Sequence, residues 1–73
     1  MTADQLDVDA MLARFRARAD AVRTRPLPPV TGADRERFVE QAQLDFQDFA
    51  IVADATWEFD GGVLVLRVDL AGS

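Results

Sequence analysis

Seventy-three residues, 49% hydrophobic and 29% charged, make one small globular domain and exclude wholesale disorder. The chain has no cysteine and no histidine, which removes disulfides and zinc as staples, and its net charge of −5 argues against a nucleic-acid partner. No apolar run approaches the roughly 18 residues of a membrane span.

The acidic start Met1-Thr2-Ala3-Asp4 is unlike a secretory leader, so the expected location is cytoplasmic. All eight basic residues are arginine and alanine and aspartate are abundant, a usage that suits a GC-rich bacterial genome. A lone core of this length rarely supplies more than about 3–5 kcal/mol. Without staples, oligomerisation or docking on a larger subunit is the expected supplement.

In chain order, the first predicted element is a helix within residues 1–24. Val8, Met11, Leu12, Phe15, Ala19 and Val22 recur at spacings of three and four and make one apolar stripe, with Leu6 near its edge. Thr2 with Gln5, or Asp4 with Asp7, is the expected cap. Acids Asp4, Asp7 and Asp9 lie early and Arg14, Arg16, Arg18, Arg23 and Arg25 lie late, the order a helix dipole favours. That arginine cluster reads first as a solvated face and second as a contact patch for an acidic partner.

Arg25-Pro26-Leu27-Pro28-Pro29-Val30 predicts an extended, polyproline-like arm over residues 25–30. A rigid crossover between packed helices is its first reading, and an arm carrying the first helix onto a neighbour is the second. A second helix is expected over residues 31–48, with Thr31 as cap and Asp34 at the third position. Phe38, Val39, Ala42 and Phe46 form its apolar face and Phe49 completes it, while Leu44, Gln41 and Gln47 suggest a back face that is not purely solvent.

Residues 49–70 predict an antiparallel β-hairpin, followed by a tail over residues 71–73. Alternation puts Ile51, Ala53, Ala55, Trp57 and Phe59 with Leu64, Leu66, Val68 and Leu70 on the core face. Val52, Asp54, Thr56, Glu58, Val63, Val65, Arg67 and Asp69 fall on the reverse. A turn at Asp60-Gly61 is favoured because it sets Asp54 opposite Arg67; a turn at Gly61-Gly62 would set Asp54 opposite Asp69. The second helix is expected to fold back over the Trp57 and Leu66 face. The fold class is therefore α+β in the order α-α-β-β, with the sheet completed by a partner or a second copy.

Catalytic parts are scarce. Nucleophiles and bases are limited to Thr2, Thr24, Thr31, Thr56, Ser73 and carboxylates, since Cys, His, Lys and Tyr are absent. Glu36 with Glu40 and Asp45 with Asp48 share helix faces, which is the usual pattern of a solvated helix. Asp7-Val8-Asp9 and Asp60-Gly61-Gly62 lack the ligand run of a calcium loop, so neither catalytic nor metal or cofactor-binding residues are assigned. The expected function is a non-catalytic interaction module, a small accessory subunit of a larger bacterial complex. Its expected contact residues are Met11, Leu12 and Phe15 on the first helix and Val52, Val63 and Val65 on the sheet. The alternative is a helix-swapped homodimer acting as a regulator or small-ligand binder, and a third reading, from the acidic second half, is an antitoxin or inhibitor. Neither nucleic acid nor membrane is an expected partner.

Overall fold

Asp7 starts the first helix. In the computed structural model, which describes residues 6–71, its side chain accepts a hydrogen bond from the Ala10 amide at 3.0 Å and α1 runs Val8–Thr24. An N-cap carboxylate satisfies one of the amide groups that a helix start leaves without a partner, and Asp9 in the first turn adds favourable charge. The alternative caps at Thr2 and Asp4 lie outside the described residues. Thr24 closes the other end with its hydroxyl on the Ala21 carbonyl.

The proline arm bends. The Val30 amide donates to the Pro28 carbonyl at 2.8 Å, an i to i+2 bond that makes a γ-turn centred on Pro29. The extended reading of residues 25–30 is corrected on this point: once Pro29 supplies φ, a single local bond can reverse the chain. Helix α2 then runs Ala33–Ala53 from Gly32, whose φ of 65° suits only glycine, and no side chain caps it. Thr31 is therefore not the cap.

Helix α2 is longer than its sequence pattern suggests. Residues 49–53, read as the start of a strand, complete the last turns of the helix. Phe46, Phe49, Ala50 and Ala53 continue the three-and-four spacing, and edge-to-face packing of Phe49 on Phe15 at 6.1 Å rewards the helical choice. Asp54 then caps the helix with its amide on the Ala50 carbonyl.

Strands β1, Thr56–Asp60, and β2, Val63–Arg67, pair antiparallel through a turn at Gly61-Gly62. Both glycines have positive φ, 57° and 83°, as a type I′ turn requires. The register sets Trp57 opposite Leu66, Glu58 opposite Val65 and Phe59 opposite Leu64. It is the register the charge rule disfavoured. That rule had no purchase, because Asp54 belongs to a helix end and never faces Asp69 in the ladder. Face membership is unchanged within the strands, so Trp57, Phe59, Leu64 and Leu66 still share one side.

Helices α1 and α2 run antiparallel, with Phe15 beside Phe49, Arg23 over Phe46 and Arg25 bonded to Asp45. Among the described residues, four of the five buried apolar side chains, Val8, Leu12, Ala19 and Val22, come from α1, and Ala55 is the fifth. Because α1 ends alongside Asp45, the first three turns of α2 project past it by about 18 Å. The hairpin lies at the opposite end, where the Trp57 indole N–H donates to Asp9 at 2.9 Å. Helix α2 does not cover its apolar face: Leu66 is 37% exposed and Phe59 39%.

Candidate functional site

Four arginines between residues 16 and 25 make contacts inside the chain. Arg16 pairs with Asp54, Arg25 with Asp45 at 3.1 Å, Arg23 stacks 4.2 Å from the Phe46 ring centre and Arg18 lies 5.1 Å from that of Phe15. Three of these four contacts cross the α1–α2 seam. Residues 1–30 hold five arginines against four aspartates and residues 31–73 three arginines against nine acids, so the two helices attract across that seam. Each exposed pair contributes about 0–1 kcal/mol; their shared geometry orients α1 on α2.

Among the described residues no cluster of His, Cys, Asp or Glu could hold a metal ion, and no helix is long and apolar enough to cross a membrane. Asp45 is taken by Arg25 and by the Gln41 amide at 2.9 Å, which separates it from Asp48 as an acid pair. Asp60 leads into the glycine turn. An open groove of about 620 Å³ lies where α1 ends, with Val22, Leu27, Val39, Ala42 and Phe46 among its walls. Its polar lining is Arg23, Arg25, Gln43 and Gln47, and it contains no carboxylate or hydroxyl to act on a bound molecule.

What the chain offers instead is apolar surface. Phe38 and Leu44 on α2 are each 47% exposed, and Phe59, Leu66, Val68 and Leu70 are exposed along the hairpin and its continuation. No protein-family model matches this chain, and no curated protein or solved structure matches it either.

The expected contact residues fall in three places. Met11, Leu12 and Phe15 lie on the inner stripe of α1; Leu12 is buried there, and Phe15 packs on Phe49. Val52 is in the last turn of α2 and not on the sheet, since the helix extends through it. Val63 and Val65 do share a sheet face with Glu58 and Arg67, and the Arg67 guanidinium bridges diagonally to Glu58 at 2.7 Å. Val63 is fully available at 59% exposure, whereas Val65 is half-buried.

Phe38, Phe59 and Leu66 were missed as surface because each lies on a face that the sequence pattern assigns to the core. A partial signal existed for Phe38. At 100° per residue it sits about 80° round α2 from Phe46, at the rim of the stripe. For Phe59 and Leu66 alternation reveals sidedness but cannot reveal whether anything covers that side.

Proposed function

We propose that this chain is a non-catalytic protein–protein interaction module, a small accessory subunit whose exposed apolar faces are completed by another chain. One observation carries the reading. Among the described residues only five apolar side chains are buried, while Phe38, Leu44, Phe59 and Leu66 stand exposed along a body 50 Å long. Exposed apolar patches on small soluble chains mark interaction sites. A cytoplasmic bacterial assembly remains the proposed setting, on the composition.

The projecting turns of α2 are the docking element proposed for a larger subunit. They present Phe38, Gln41 and Leu44 with no facing helix among the described residues, in the manner of a helix laid into a groove. The antitoxin reading loses part of its basis, since Asp45 and Asp54 are engaged by Arg25 and Arg16 of the same chain. A double change Phe38→Asp with Leu44→Asp tests the docking reading. Both side chains are exposed, so the helical circular dichroism should hold while a protein co-purifying in fixed ratio with the native chain is lost. Retention of that protein by the folded variant would refute the role of this face.

A further inference from the structure

We propose that a second copy of this chain pairs along β2, making a four-stranded antiparallel sheet β1-β2-β2-β1 with its two-fold axis at Val65. This rests on the reading of the chain as an interaction module and names the partner of its sheet edge. Among the described residues the sheet has two strands, β1 and β2, and no further strand pairs with either outer edge. Two strands alone are marginal in water, and nothing on β2 blocks extension: it reads Val63-Leu64-Val65-Leu66-Arg67, without proline or an acid.

The backbone decides which groups are free. A two-residue turn closes on a hydrogen-bonded pair, here Asp60 with Val63, and bonded pairs then alternate along the ladder. Glu58–Val65 is therefore bonded internally, whereas the amides and carbonyls of Leu64 and Leu66 point away from β1. A two-fold at Val65 joins those same groups: Leu64 of one copy meets Leu66 of the other, twice. Because the axis stands perpendicular to the sheet, the Trp57, Phe59, Leu64 and Leu66 faces of both copies lie on one side and become continuous.

Charge selects β2 over β1 and a like strand over an unlike one. Self-pairing of β1 about Glu58 would face Glu58 with its own copy, and about Phe59 would face Glu58 with Asp60. Self-pairing of β2 about Val65 faces Val63 with Arg67, whose stem can cover the 59% exposed valine, and opposes no like charges. The chain exposes 5648 Å², against about 4,500 Å² for a compact chain of 8.1 kDa. The surplus of about 1,100 Å² is spread over all the open faces, the β2 edge and the Phe59 and Leu66 face among them.

The chain has no cysteine, so single thiols report the register cleanly. In Val65→Cys the two thiols face each other across the two-fold with Cα atoms about 4.5–5.5 Å apart, within disulfide range. In Val63→Cys they stand about 14 Å apart, beyond it. Under mild oxidant the full-length Val65→Cys chain should form covalent dimer at least about tenfold faster than Val63→Cys, because only the first pair meets disulfide geometry. The native chain should scatter light at twice 8.1 kDa. Should Val65→Cys fail to fold, amide exchange on the native chain decides: Leu64 and Leu66 become protected as concentration rises. Equal oxidation rates, or a folded monomer with unprotected Leu64 and Leu66 amides, would overturn the self-pairing. That outcome leaves the docking role of Phe38 and Leu44 to its own test, and a negative result there leaves the β2 pairing standing.

Discussion

At the scale of single residues, Leu12 shows how little holds the monomer together. It is one of five buried apolar side chains among the described residues, and it lies on the inner stripe of α1. Removing its isobutyl group should cost about 2 kcal/mol, the low end for Leu→Ala, because a seam open on one side relaxes more than an enclosed core. Against a total of about 3–5 kcal/mol, Leu12→Ala should lower the urea midpoint to roughly one third to three fifths of its native value at unchanged slope. The apolar spacing of α1 already picks out Leu12, Val8, Ala19 and Val22. Ala55 is hidden from such a reading, since its burial depends on where α2 stops. Asp54 is the clearest case of a mistaken partner: the sequence places it opposite Arg67 on a strand, and the fold gives it to Arg16 across the helix seam.

At the scale of elements, the glycine turn makes the sharpest statement. Both Gly61 and Gly62 have positive φ and open space around the Cβ position, so substitution there is a matter of backbone energy alone. Gly62→Ala should destabilise by about 1 kcal/mol, the left-handed penalty of an L-residue. Gly61→Asn should be neutral or stabilising by up to about 0.5 kcal/mol, since Asn-Gly suits a type I′ turn and loses less chain entropy on folding. Thermal unfolding of the two variants separates this register from a turn at Asp60-Gly61, in which Gly62 would fall on the strand and Gly61 would be its second central residue. The end of α2 was ambiguous for a related reason. Ala50-Ile51-Val52-Ala53 satisfies a helical stripe and a strand alternation equally, and its β-branched pair favours the strand. Phe15, thirty-four residues earlier, resolves it by packing on Phe49.

At the scale of the molecule, shape is the informative quantity. The radius of gyration is 15.9 Å, whereas about 11 Å is typical of a compact chain of this length. The shortest dimension, 16 Å, is little more than the roughly 10–12 Å diameter of one helix with its side chains. Stable domains stack at least two layers over a core, and here much of the second layer is missing. Helix α1 is nonetheless indispensable to the part that exists. Deleting residues 1–30 removes four of the five side chains buried among the described residues, so the remaining chain should show no cooperative unfolding transition by circular dichroism and calorimetry. A truncated chain that still melts cooperatively would mean that the α1–α2 seam is not the core.

The sequence by itself determined the order of two helices and a hairpin, the arm between the helices, the inner stripe of α1 and the sidedness of both strands. Each of these depends on neighbours within about four residues, where periodicity, proline and glycine act directly. Tertiary structure alone decided where α2 ends, which carboxylate each arginine meets, the register of the hairpin, and which apolar faces stay open. Those outcomes turn on contacts between residues as far apart as Asp9 and Trp57, or Arg16 and Asp54. A pattern of apolar spacing records which side of an element avoids water; only the assembled chain determines whether something is there to cover it.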